Sequence, residues 1–201
     1  MIKVASTWGG PGGSTVAFNN LVNLFNERGL EACFYSPIKW DGVTCKWDNI
    51  HKISFKEDDV VIYHYMKFEK RPSVAKLILS CHETSVFPIK EHNDIVYDDV
   101  HFVSHFQKDW QGVDGHVIPN VIRKYTPRDN KFKVATAGVI GSIDSNKRTH
   151  KSILNALKDG HTDVRLYGAV TDPGYFNAEV VPLLGDKVSY RGISNDMQPV
   201  Y

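Results

Sequence analysis

Two kinds of residue in this sequence could do chemistry by type and position: glycines beside a helix start, and histidines at strand ends. Ser6-Thr7-Trp8-Gly9-Gly10-Pro11-Gly12-Gly13-Ser14-Thr15 is a glycine-rich run. Glycine at 12 and 13 lets a ligand approach the main chain with no Cβ in the way. Ser14 or Thr15 is expected to N-cap the following helix. The N–H groups of such a helix end, added to the positive end of its dipole, attract phosphate. The run departs from the common phosphate motifs. A P-loop needs Lys before its Ser/Thr, where Gly13 stands, and a dinucleotide fingerprint from Gly10 needs glycine where Thr15 stands. A tight strand-to-helix turn with no ligand is therefore the competing reading. His82 closes the run 76–82, and His64 closes 59–64. Each would lie beyond the carboxyl end of a strand, where parallel sheets collect ligands. A histidine serves equally well in a core or an inert loop. His101 and His105 straddle a strand end and are expected as surface or hydrogen-bonded groups, not a metal pair.

The elements that must position these residues alternate throughout. Residues 2–6 read as a short buried strand, followed by apolar residues at helical spacing (Val16, Phe18, Leu21, Val22, Leu24, Phe25). Further short apolar runs follow at 31–36, 59–64, 76–82, 100–104 and 116–118, with a short helical piece through Trp110. Residues 38–57 read as a long loop with one short strand near Ile53. Trp40, Trp47 and Trp110 are expected in packing or in acceptor loops. Continuous apolar strands separated by helices imply a parallel sheet covered on both faces. Residues 119–131 are rich in Pro, Arg, Lys, Asp and Asn, the composition of an interdomain linker. The pattern then restarts with strands at 132–138, 164–168 and 187–191 and helices at 147–159 and 175–184. The chain ends as if entering a helix. This gives α/β architecture in two Rossmann-like domains, 1–125 and 126–201, the second read as incomplete.

Bulk properties exclude several classes. The chain has 201 residues, a formal net charge of +1 and 42% hydrophobic residues, which describes an ordinary globular protein with no basic run for nucleic acid. No apolar stretch reaches the ~18 residues of a membrane span and no signal peptide is recognisable, so a cytoplasmic protein is expected, with peripheral membrane contact left open. Cys33, Cys45 and Cys81 are odd in number and unpatterned, as buried free thiols would be. No Cys/His cluster has metal-ligand spacing. Glu57-Asp58-Asp59 precedes a strand instead of following one, so it reads as a solvated turn. No metal and no cofactor are expected.

Four further stretches carry a family resemblance. Gly141-Ser142-Ile143-Asp144-Ser145-Asn146-Lys147-Arg148 resembles the strand-to-helix loop that opens the second domain of retaining GT-B glycosyltransferases. That loop usually runs Gly-Arg, four residues, then Lys-Gly. Gly141 and Lys147 match in spacing, Ser142 replaces the Arg and Arg148 replaces the Gly. Val103 to Trp110 is similar to the family's strand-then-Ser segment, and Val117-Ile118-Pro119-Asn120 to its Ile-Pro-Asn turn. Residues 164–168 and 188–192 are similar to the next two strands, each ending in Gly.

The resemblance implies transfer of a sugar from a nucleotide-diphosphate-sugar donor to a glycan or other hydroxyl acceptor, with retention and without metal. It implies donor-phosphate contacts from Gly12, Gly13, Gly141, Ser142, Lys147 and Arg148. It implies nucleotide contacts from Gly168, Arg191, Gly192 and Ile193, and catalytic roles for His82 and Lys147. It also implies that the two glycine loops face each other across a cleft. In isolation, Lys147 reads better as an exposed lysine at a helix start, and its spacing from Gly141 is what favours the phosphate role. Arg148 or Arg191 is the candidate substitute for the missing Arg. The family's glutamate-rich donor loop falls after the last residue, so the chain reads as truncated within its second domain. Two other readings compete: a non-catalytic nucleotide- or glycan-binding relative, and an epimerase of similar architecture.

Overall fold

A computed structural model describes residues 1–10, 12–64, 66, 68–82, 89, 97–122 and 136–194. The linker from 123 onward, the strand positions 132–135 and the helix at the chain end lie outside the described residues. The chain divides into two compact units, Met1–Arg123 and Lys124–Tyr201.

The first unit is a seven-stranded parallel sheet. Its strands are β1 (Ile2–Ser6), β2 (Ala32–Ser36), β3 (Trp47–Asn49), β4 (Val60–His64), β5 (Lys76–Cys81), β6 (Asp99–Phe102) and β7 (His116–Val117). Their order is β3-β2-β1-β4-β5-β6-β7, and every described pair is parallel. The edge strand β3 lies at 47–49 and not near Ile53, which instead follows a 3₁₀ turn, Ile50–Lys52. Successive strand residues point to opposite faces, so each inner strand feeds two cores. Val4, Phe34 and Ile62 pack with Phe18 and Val22 of α1 (Gly13–Glu27). Val61, Tyr63, Leu77, Leu79, Val100 and Phe102 form the core of the other face. Burying a side chain such as Phe18 contributes about 2–3 kcal/mol.

All three cysteines are buried free thiols, and burial pushes Cys45 up to about 12. Trp40 and Trp47 pack against the α1-side core, and the Trp47 indole donates to Ser36 Oγ at 2.8 Å. Trp110 is exposed.

Asp59 corrects the expectation of a solvated turn. Glu57 and Asp58 are exposed, but Asp59 is 1% exposed and forms an ion pair with Lys3, itself 2% exposed. The Lys3 ammonium also donates to the Ser54 carbonyl, and the Lys56 N–H donates to Asp59 Oδ2 at 2.8 Å. Burial opposes ionisation of Asp59, yet these donors hold its carboxyl below the usual carboxylate range. The sequence hid this because the partner lies 56 residues away.

The second unit holds a three-stranded parallel sheet of order β10-β9-β8: β8 (Thr136–Ile140), β9 (Asp163–Tyr167) and β10 (Val188–Tyr190). Helix α3 (Thr149–Lys158) packs on it, and Ile143, Ile153, Val164, Leu166, Val180 and Val188 form the core. α3 starts after Arg148 and not at 147, because Arg148 adopts the left-handed region at φ 50. The helix expected at 175–184 is broken. A single α turn, α4 (Pro173–Tyr175), passes into a π turn, Phe176–Val180, and a 3₁₀ turn, Val181–Leu183. Pro182 has no N–H to give the preceding turn, and its ring crowds the carbonyl four residues back.

Candidate active site

In the first unit the strand order reverses at β1 and β4, since β2 lies on one side of β1 and β4 on the other. Ligands of doubly wound sheets bind outside the carboxyl ends at such a point. Ser6 ends β1, His64 ends β4, and the two are register partners. Ser6 Oγ lies 3.1 Å from His64 Nδ1 and accepts the Trp8 N–H at 3.1 Å. Alternation puts Ser6, His64, Ser80, His82 and His101 on the face that also carries Val4 and Ile62, under α1. Phe18 of α1 confirms the placement. Its ring centroid lies 5.4 Å from His64 and 4.7 Å edge-on from His82. The three imidazoles form a row, with centroids 5.2 Å apart for His64–His82 and 6.1 Å for His82–His101.

Ser80 Oγ connects two of them, at 3.1 Å from His82 Nε2 and 2.9 Å from His101 Nδ1. His101 Nε2 donates to the Ile118 carbonyl at 2.7 Å. Burial lowers the His101 pKa, against the raising effect of that carbonyl. So His101 is hydrogen-bonded, as the spacing suggested. His105 is the exposed first residue of α2 (His105–Gln111), and Ser104 Oγ caps that helix on the Gln107 N–H.

The glycine run turns β1 into α1. The N-cap is Gly12, extended at φ −177, and not Ser14 or Thr15. Thr15 instead donates its hydroxyl back to the Gly10 carbonyl at 2.8 Å, which fixes the loop from inside the helix. Among the described residues no side chain caps the first-turn N–H groups, and that turn carries no acidic residue. The Trp8 indole covers the loop: a Cβ at Gly10 would meet it at 3.4 Å and one at Gly12 at 3.5 Å. A Cβ at Gly13 would meet nothing within 4 Å.

The second unit gathers Gly141, Gly168 and Gly192 at the carboxyl ends of β8, β9 and β10. Gly141 N–H donates to the Tyr167 carbonyl at 2.9 Å, and Gly168 N–H to the Gly192 carbonyl at 2.8 Å. Gly168 sits at φ +148, and a Cβ there would fall 1.8 Å from the Gly141 carbonyl oxygen, so only glycine fits. Asp144 is the centre of the Gly141–Arg148 loop. It accepts from the Ser142 hydroxyl at 2.6 Å, the Lys147 N–H at 2.8 Å and the Thr171 hydroxyl at 3.1 Å. Burial would raise its pKa, but these three donors and the Lys147 charge outweigh it and keep the carboxyl ionised. The Lys147 and Arg148 side chains are exposed. Tyr175 accepts the His150 N–H at 3.0 Å, and its hydroxyl lies 2.8 Å from His150 Nδ1. Tyr190 donates to the Gly168 carbonyl at 2.8 Å, and Ile193 is exposed.

The expected site residues thus fall into two groups. Gly12, Gly13 and His82 belong to the first unit. Gly141, Ser142, Lys147, Arg148, Gly168, Arg191, Gly192 and Ile193 belong to the second. Sequence reasoning missed Ser6, Ser80, Asp144 and Thr171. Their only signal was a polar residue at or just past the end of an apolar strand. Among the described residues no group of three or more His, Cys, Asp or Glu side chains could hold a metal ion, and no helix is long and apolar enough to cross a membrane.

No family model matches the sequence, and no curated protein matches it. Solved structures do match in fold. HepE of Anabaena in complex with UDP-glucose aligns at a TM-score of 0.65 and 12% identity, over 99% of this chain and 70% of HepE. A glycosyltransferase from Rickettsia africae aligns at 0.60 and 14% identity, over 100% of this chain and 70% of that one. A T4 phage BGT mutant in complex with UDP-glucose aligns at 0.50 and 12% identity, over 96% and 67%. Two Rossmann-like units with this strand order, matched over nearly the whole chain, give the protein the GT-B fold of glycosyltransferases.

Proposed function

We propose that the protein is a glycosyltransferase that moves a sugar from a nucleotide-diphosphate donor to a hydroxyl acceptor, with retention and without a metal. The observation that carries this reading is the pair of glycine turns at the carboxyl ends of β1 and β8. Similarity in fold to proteins solved with UDP-glucose supports it. The nucleotide is assigned to the second unit at Gly168, Arg191, Gly192 and Ile193, and the acceptor to the first, with His82 beside it.

Glycosyl transfer leaves charge on the departing diphosphate. Without a metal, preorganised donors must stabilise that charge, each removal costing about 10²–10³ in rate. The proposed donors are the main chain at Gly12, Gly13 and Gly141, the Ser142 hydroxyl, and the Lys147 and Arg148 cations. Nucleotide sugars are cytoplasmic donors in this proposal, and no further cofactor takes part.

One observation favours a second reading. Ser142 stands where the family's Arg would clamp the diphosphate, and its hydroxyl is already committed to an ionised Asp144. That suits a relative which binds nucleotide or glycan without turnover. Incubation with a panel of nucleotide sugars separates the two. Release of nucleoside diphosphate supports transfer. Saturable binding of the same sugars with no release supports the binding protein, and neither binding nor release sinks both.

A further inference from the structure

The Ile118 carbonyl imposes a direction on the hydrogen bonds that end at His82. A carbonyl oxygen can only accept, so His101 Nε2, 2.7 Å away, carries a proton. His101 is held neutral by burial, which leaves its Nδ1 as a lone pair. Ser80 has one hydroxyl proton, and His101 Nδ1 at 2.9 Å takes it. The Ser80 oxygen can then only accept from His82 Nε2 at 3.1 Å. Ser80 is 1% exposed, so water does not offer its hydroxyl another orientation.

We infer that Ser80 and His101 are positioning residues that hold His82 in one tautomer, with its proton on Nε2 and its lone pair on Nδ1. His82 then acts towards a sugar or acceptor hydroxyl as a proton acceptor. This consequence rests on the proposed transfer reaction, whereas the tautomer does not. The Phe18 ring, edge-on at 4.7 Å, keeps the imidazole from turning over. The three links come from β5, β6 and the residue after β7, so sheet register alone brings them into line.

The test is histidine side-chain NMR of the whole protein near neutral pH, which reads tautomers from ring nitrogen and Cδ2 shifts and needs no turnover. The expected result is the Nε2–H form for both His82 and His101, with a slowly exchanging Hε2 on each. Ser80→Ala and His101→Phe should make the His82 Hε2 exchange at least tenfold faster and move its Cδ2 shift towards the tautomer average. Ser80→Thr keeps the hydroxyl and should restore both signals. An Nδ1–H form at His82 in the wild type overturns the inference. So does an unchanged His82 signature in both truncating variants. In a transfer assay the two variants should lower kcat by roughly 10- to 10²-fold, the cost of a misplaced group, with donor KM unchanged. A correct tautomer with no transfer activity would retain the inference and sink the proposed reaction.

Discussion

The turn from β1 into α1 leaves its helix-start N–H groups without a side-chain cap among the described residues. Gly12 is the N-cap, the Thr15 hydroxyl bonds backwards to Gly10, and no described side chain takes the first-turn N–H groups. The equivalent turn from β8 into α3 is filled by side chains. Asp144 takes the Lys147 N–H and the Ser142 hydroxyl, and Tyr175 takes the His150 N–H. Two turns at the same place in two Rossmann-like units therefore offer an anion different things. The first offers backbone donors and a dipole end. The second has spent its local donors on an internal carboxylate, and what it offers is the exposed charge of Lys147 and Arg148. A glycine after the first strand is common to both and does not distinguish them.

The largest effect should come from removing the glycine that the second turn needs. Gly168→Ala puts a methyl group into the Gly141 carbonyl at a positive φ, and should destabilise the second unit by roughly 3–5 kcal/mol, combining backbone strain with overpacking. Urea denaturation followed by a second-unit probe would measure it, and a loss under 1 kcal/mol would mean the two turns are not packed as described.

Next comes charge. Lys147→Ala should lower kcat/KM for donor by about 10²–10³ with the melting temperature unchanged. Lys147→Arg should recover only part, since a planar fork does not replace a compact ammonium. Wild-type turnover in Lys147→Ala would remove the second turn from the phosphate site.

Gly13→Val probes the bare turn. The Cβ has open space, so the fold should persist while the side chain blocks approach to the N–H groups. Donor KM should rise about tenfold, the loss of one charge-assisted hydrogen bond of about 1.5 kcal/mol. An unchanged KM would restore the reading of a turn without a ligand.

The smallest effect is in acid. Asp144 has a folded pKa below its ordinary 3.8, so its contribution to stability is fully present above 3.8 and disappears as pH falls through the lower folded value. Asp144→Asn should lower stability at neutrality, where the ionised carboxylate contributes, and flatten the acid limb below about pH 4. A parallel acid limb in the variant would show that the carboxylate is solvated.

Much of the architecture was legible because inner parallel strands are apolar on both faces. Residues 60–63 and 77–79 announce themselves this way. Strand β3 did not, since its three half-buried residues lie at an edge where neither face demands apolar side chains. The 175–184 helix read correctly as helical in spacing, but Pro182 decided its hydrogen bonding. In the candidate site, His64 and His82 were visible as strand-end histidines. Ser6, Ser80 and the role of His101 required register, because nothing in the sequence says which residues of separate strands share a row. Thr15 looked like an N-cap by composition, and the loop before it took its hydroxyl instead.

The ion pair between Lys3 and Asp59 lies at the amino ends of β1 and β4, opposite the histidine row. Its consequence is kinetic. The two central strands can form only after the chain between them has been looped out, and such non-local pairing is slow to find. A slide of β1 by two residues against β4 would keep every apolar side chain on its own face, so hydrophobicity alone does not forbid that mispairing. It would, however, strand the Lys3 ammonium away from its carboxylate, and breaking a buried pair costs about 3–5 kcal/mol. A buried charge that adds little to the depth of the native basin can in this way clear the neighbouring trap, and let a long-range sheet settle in one alignment.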